Sequence, residues 1–213
     1  MSNEEEASYN TTNTYSTLNK ITEKTKNFWM VFHGMGYLSK YFINYFSELN
    51  AEENYIIAPQ APSKYYQDRA FKHVGASWLT RENTVMETHN ILNYVDAVFE
   101  KEFSETIPNL FVLGYSQGVS IAMRWAASRK IQCDKLILHS GGIPNELKPS
   151  DFEFLKPTAQ VIYIYGNKDQ YITEARKTEE ELKGSNLFKD RLKIEVFDGI
   201  HEVNQKFLLN ISK

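Results

Sequence analysis

Ser116 stands between two glycines in Gly114-Tyr115-Ser116-Gln117-Gly118, and the residues on either side decide what it can do. Asn109-Leu110-Phe111-Val112-Leu113 reads as a short buried strand, and Val119 to Ala127 reads as a helix. A strand, Gly-x-Ser-x-Gly and a helix make a nucleophile elbow, a sharp turn that holds a serine hydroxyl out at a strand end. Both glycines are needed for steric reasons, since the turn is strained and a side chain at either position would strike the neighbouring strand or helix. A serine hydroxyl is a poor nucleophile at neutral pH, so a neighbouring base must take its proton. Histidine suits that role because its unperturbed pKa lies near physiological pH. It needs an acceptor of its own to fix its tautomer and stabilise the imidazolium.

Such an elbow is that of the α/β-hydrolase fold, in which the three residues follow the chain order Ser, then Asp or Glu, then His. Of the five histidines, only His139 and His201 follow Ser116. His201 lies in Asp198-Gly199-Ile200-His201-Glu202, between the last strand pattern and the last helix pattern. Loops at the carboxyl ends of parallel strands are where open α/β sheets bind ligands. His139 ends a strand pattern before Ser140-Gly141-Gly142 and is assigned a mainly structural role bordering the site; His73 and His89 read as surface residues. Asp169, in Gly166-Asn167-Lys168-Asp169, is the preferred acid. A helix N-cap is its competing role, and its rivals are Asp198, three residues from His201, and Asp190, at the opposite end of its strand. A tetrahedral intermediate also needs two backbone N–H donors. Gln117 is one, and Met35 in His33-Gly34-Met35-Gly36 is the other, because flanking glycines let backbone approach a substrate. His33 reads as a loop-shaping residue, and the Met35 side chain is compatible with core filling.

These groups need a scaffold that brings strand ends together. Phe28 to Phe32 predicts a buried central strand, and Tyr55 to Ala58 a second one stopped by Pro59 and Pro62. Leu38, Phe42, Phe46 and Leu49 recur at helical spacing beside Tyr37, Tyr41 and Tyr45, a core-packing stripe. Val85, Thr88, Leu92, Val95 and Phe99, with Ile91 and Val98, mark a long amphipathic helix. Lys135 to His139, Val161 to Tyr165 and Leu192 to Phe197 are strand-like, and helices are predicted over Ala175 to Leu182 and about Glu202 to Ile211. Strands alternating with helices imply a doubly wound, mostly parallel sheet with helices on both faces. Residues 1–26 are expected to form a polar N-terminal tail or partly an edge strand near Tyr15 to Ile21, and 27–213 a single α/β-hydrolase domain. The connection from about Ser140 to Ala159 is short for a cap domain, while Ser63 to Thr84 has room for a small flap.

A chain of 213 residues with 42% hydrophobic and 14% aromatic content can bury a full core. Its net charge of −3, without basic blocks, argues against nucleic acid or a polybasic membrane surface. Cys133 is the only cysteine, which excludes an internal disulfide. Met1 to Glu6 is acidic and lacks the apolar run of a signal peptide, and no stretch approaches the ~20 apolar residues of a membrane span. The expectation is therefore a soluble cytoplasmic protein without membrane insertion. No cofactor or metal is expected, and a homodimer is compatible with the composition.

Phe32-His33-Gly34-Met35-Gly36, Ala58-Pro59-Gln60-Ala61-Pro62, Trp78, Gly114-Tyr115-Ser116-Gln117-Gly118, Ser140-Gly141-Gly142, Gly166-Asn167-Lys168-Asp169 and Gly199-Ile200-His201-Glu202 occur in that order. Together they resemble the phospholipase/carboxylesterase family of α/β-hydrolases, which includes acyl-protein thioesterase-like enzymes. The resemblance implies a serine esterase with Ser116, Asp169 and His201 as catalytic triad and a small-molecule ester or thioester as substrate. Gly34, Gly36, Tyr37, Trp78, Tyr115 and Tyr171 are the candidate substrate-pocket residues. Two segments depart from the family pattern. Tyr37 stands where an acid often follows the His-Gly-x-Gly loop, and Trp78-Leu79-Thr80 replaces a Trp-Phe-Asp. Both bear on substrate choice and neither on the triad. A shallow, open site for short or extended acyl groups is expected. Thioester hydrolysis is the alternative activity, and a non-catalytic binding module is the alternative of another class.

Overall fold

The computed structural model describes residues 3–103 and 108–213. The first two residues of the predicted polar tail, Met1 and Ser2, lie outside the described residues. Seven strands form the main sheet: β1 (Tyr15–Leu18), β2 (Asn27–Phe32), β3 (Asn54–Pro59), β6 (Asn109–Tyr115), β7 (Lys135–His139), β8 (Gln160–Gly166) and β9 (Leu192–Phe197), in the order β1-β3-β2-β6-β7-β8-β9. All neighbours are parallel except β1, which runs antiparallel to β3. Two further strands, β4 (Ser63–Tyr66) and β5 (Val74–Ser77), pair into a separate antiparallel hairpin within the predicted flap. The helices are α1 (Ser39–Phe42), α2 (Thr84–Glu102), α3 (Gly118–Arg129), α4 (Glu174–Phe188) and α5 (Gln205–Ile211).

Every residue of β2 and β3 is buried, because helices or loops cover both sheet faces. Alternation along β2 divides the core. Phe28, Met30 and Phe32 join Val95, Val119 and Trp125 of α2 and α3 on one face, whereas Trp29 and Val31 join Phe42, Phe46 and Phe207 on the other. Trp29 packs edge-to-face on Phe111, with ring centroids 4.7 Å apart, a geometry that aligns ring edges with π faces.

The structure corrects several element readings. The aromatic stripe after Leu38 makes only the single turn of α1 and a 3₁₀ turn over Ile43–Phe46, although Phe42, Phe46 and Leu49 are buried as expected. On α2 the buried stripe is Ile91, Leu92, Val95 and Val98, while Val85, in the first turn, is 88% exposed and lies outside that stripe. Helix α4 runs six residues past its predicted end, to Phe188, since Leu187 and Phe188 continue its buried face. Residues 140–159 form loops and a 3₁₀ turn over Pro149–Phe152, with no cap over the sheet. Among the described residues, no helix is long and apolar enough to cross a membrane.

Candidate active site

The loops that follow β2, β6, β7, β8 and β9 all leave the carboxyl edge of the parallel sheet. From β2 the chain moves outward to β3, and from β6 it moves the other way to β7. That reversal between β2 and β6 opens a crevice where such sheets bind ligands. Ser116 follows β6 there, with φ at +54°, in the left-handed region that strains any residue with a Cβ. The strain is held by packing. A Cβ at Gly114 would lie 2.4 Å from Val119 Cα, and one at Gly118 would lie 2.1 Å from the Phe32 carbonyl oxygen. Strand β2, the elbow and α3 are therefore in backbone contact, as the glycine pattern predicts.

Ser116 Oγ lies 3.0 Å from His201 Nε2, and His201 Nδ1 lies 2.7 Å from Asp169 Oδ2. Asp169 is buried, and its other carboxylate oxygen accepts the Tyr171 N–H at 2.9 Å. It does not cap α4; Thr173 does, accepting from Arg176 N–H. Asp198 faces solvent and pairs with Lys168 at 2.7 Å, and Asp190 lies in the turn before β9. The loops after β8 and β9 are stitched to each other: Asn167 N–H donates to Phe197 O, Lys168 N–H to Gly199 O, and Gly199 N–H to the Asn167 side chain. This stitching sets the separation between Asp169 and His201.

On the other side of Ser116, a Cβ at Gly34 would sit 3.0 Å from Ser116 Cβ, so the His33–Gly36 loop lies directly against the serine. Among the described residues, neither the Met35 nor the Gln117 backbone N–H has an acceptor. Gln117 is also the N-cap residue of α3, whose dipole favours negative charge at that point. The Met35 side chain is 61% exposed and is not core filler. Gly36, at φ +87°, donates its N–H to Ala76 O and accepts from the Gln67 side chain, so the β4–β5 hairpin braces this loop.

The candidate pocket residues fall into different places. Tyr171 is 56% exposed, with its ring 4.7 Å from the His201 ring, at the rim of the site. Gly34 and Gly36 shape the loop beside Ser116, and Tyr37 is half-buried against Tyr45 and Tyr115. Trp78 and Tyr115 are corrections: both are fully buried beneath the site and present no surface to a ligand. Trp78 Nε1 donates to His33 O, and the Tyr115 hydroxyl donates to His201 O at 3.0 Å. Their polar atoms had to find partners once the rings were buried.

One role escaped the sequence reading. The Gln117 side chain accepts from Trp78 N–H at 2.8 Å and donates to Leu79 O at 2.7 Å, clamping the chain after β5 to the elbow. A glutamine amide offers a donor and an acceptor on one plane, the only local signal for such a clamp.

Both buried histidines are neutral supports. His33 Nδ1–H donates to Gly34 O and its Nε2 accepts Ala61 N–H; His139 Nε2 accepts Asn204 N–H. Burial lowers the His33 pKa from 6.5 to about 4. Burial, and then the neighbouring His201, lower His139 from 6.5 to about 3. The unfolded chain therefore binds protons that the folded chain refuses, so stability is complete above pH 6.5 and falls as the pH drops towards those folded values. Between pH 7 and pH 5 each histidine is expected to remove about 2 kcal/mol. Urea denaturation across that range measures it, and a flat unfolding free energy would refute it.

Residues 13–213 match the phospholipase/carboxylesterase family. Among solved structures, maize (Zea mays) acyl-protein thioesterase 2 superposes with a TM-score of 0.69 at 15% identity, over 94% of this chain and 96% of that one. Esterase PE8 gives 0.68 at 18%, over 95% and 97%, and the phospholipase/carboxylesterase of Dyadobacter fermentans gives 0.66 at 19%, over 97% of each. At such identities the likeness is one of fold. No curated protein matches the chain in sequence. The match over residues 13–213, on a mostly parallel sheet that carries a serine elbow, makes this chain a member of the phospholipase/carboxylesterase family of α/β-hydrolases.

Proposed function

We propose that the chain is a serine hydrolase of carboxylic esters that works through an acyl-enzyme, with Ser116 as nucleophile, His201 as base and Asp169 as its partner. The observation that carries this reading is the unbroken hydrogen-bond relay from Ser116 Oγ through His201 to Asp169, at 3.0 and 2.7 Å. His201 takes the Ser116 proton at Nε2 as Oγ attacks the ester carbonyl carbon. Asp169 stays ionised and stabilises the imidazolium formed. The Met35 and Gln117 N–H groups receive the oxyanion, each removal costing about 10²–10³ in rate. His201 then protonates the departing alcohol, and water activated by the same nitrogen releases the acid.

The open carboxyl edge, without a cap between β7 and β8, supports short or extended acyl groups rather than a lidded lipid site. Thioester hydrolysis is the second reading, supported by the likeness in fold to the maize acyl-protein thioesterase 2. The relay is the same, and a thiolate leaves with less help from His201. A non-catalytic binding module has no use for an aligned relay. A fluorophosphonate probe separates these classes, because it reacts only with an activated serine. Stoichiometric labelling, mapped to the peptide that contains Ser116, is expected; a folded protein that stays unlabelled would refute the hydrolase. Matched oxygen esters and thioesters then rank the two activities.

A further inference from the structure

Strand β9 ends the sheet, and nothing among the described residues pairs with its outer side. Asn167 N–H bonds the Phe197 carbonyl, so Phe197 turns its peptide groups towards β8. Peptide groups alternate in direction along a strand. Lys193 and Glu195 therefore also face β8, while Ile194 and Val196 turn their N–H and C=O groups outward. Side chains alternate as well. Leu192, Ile194 and Val196 share the sheet face of Val161, Tyr163 and Tyr165, and Lys193 and Glu195 share the face of Ile162 and Ile164. Ile194 is 38% exposed and Val196 55% exposed, which is unusual for an apolar row on a long free edge.

We propose that this edge pairs antiparallel with β9 of a second copy, about a two-fold axis perpendicular to the sheet that passes midway between the two copies of Ile194. In that register Ile194 faces Ile194 and Leu192 faces Val196, so apolar residues meet on one face. On the other face Lys193 of each copy stands opposite Glu195 of its partner. Centring the axis on Lys193 or Glu195 instead would oppose like charges, which is destabilising for directly facing residues. Of the registers centred on these three residues, only the one on Ile194 brings opposite charges together. The Ile194 N–H of each copy donates to the Ile194 carbonyl of the other, and Val196 N–H donates to the Leu192 carbonyl. Charges on an edge strand ordinarily repel a neighbour; here opposite signs two residues apart make the strand complementary to itself, as a two-fold interface requires. Within one chain Lys193 and Glu195 already pair at 2.6 Å, with the lysine side chain 69% exposed, so reversing either charge alters the fold little.

Sedimentation equilibrium of the full chain is expected to give a dimer. Lys193→Glu and Glu195→Lys should each weaken it by about tenfold or more, since every facing charge pair becomes repulsive. Mixing the two variants restores opposite charges and is expected to yield a heterodimer, read by native mass spectrometry. Circular dichroism and esterase activity of each variant report that the fold persists. A wild-type monomer at the highest soluble concentration would overturn the proposal. So would a dimer that both reversals leave intact, which would place the interface elsewhere.

Discussion

Ser116→Ala is expected to lower the turnover of p-nitrophenyl acetate or butyrate by roughly 10⁴–10⁶. The side chain is small and lies at a solvent-facing turn, and alanine meets the same backbone cost as serine at φ +54°. The far-ultraviolet circular dichroism and the unfolding free energy should therefore stay unchanged. In the proposed mechanism, removing the hydroxyl takes away the attacking oxygen and leaves the His201–Asp169 pair and the Met35 and Gln117 N–H groups in place. These give the variant its residual rate, because oxyanion stabilisation and substrate binding accelerate attack by water. Loss of fluorophosphonate labelling should accompany loss of turnover. An alanine variant that still hydrolyses the ester at near wild-type rate would move the nucleophile elsewhere and sink the proposed mechanism.

Gly118→Ala should damage the molecule differently, by unseating the elbow. The new Cβ would stand 2.1 Å from the Phe32 carbonyl oxygen, 2.6 Å from its carbon and 2.8 Å from His33 O, all backbone atoms of β2 and its loop. No rotamer change relieves such contacts, so β2 or α3 must shift, at an expected cost of about 3 kcal/mol or more. That shift also moves the Met35 loop relative to Ser116, so the folded fraction should lose activity. Gly184→Ala within α4 is the control. There the nearest atoms are the ends of the Leu192 and Ile143 side chains, at 3.0 and 3.4 Å, which can yield, and alanine is the better helix former by about 1 kcal/mol. Urea denaturation of both variants tests the contrast; equal stabilities would refute the steric reading of the elbow.

The glycines of the elbow were legible because they answer a local demand: a turn so tight that any side chain collides can be recognised from a few residues. Burial was less legible. Val85 fits the helical stripe but is exposed to solvent, and Trp78 and Tyr115 look like aromatic pocket walls until the fold buries them under the site. Which side of a ring meets solvent depends on neighbours distant in the chain, His33 for Trp78 and His201 for Tyr115. The Gln117 clamp on residues 78–79 was hidden for the same reason, since its partners lie 38 and 39 residues away.

Residue types and their order along the chain were enough to select a serine elbow, to leave two histidines after it and to point to carboxylates in the loops of the last strands. Those choices follow from chemistry that needs particular groups and from a chain order that the fold imposes. Tertiary structure alone decided the distances. Ser116 and His201 are 85 residues apart, and His201 and Asp169 are 32 apart. They meet because parallel strands put every carboxyl end on one edge, and because the backbone bonds between the loops after β8 and β9 turn Asp169 inward while Asp198 pairs with Lys168 in solvent. The free side of β9 likewise belongs to the assembled sheet, since a strand has an outer edge only once its neighbours are placed.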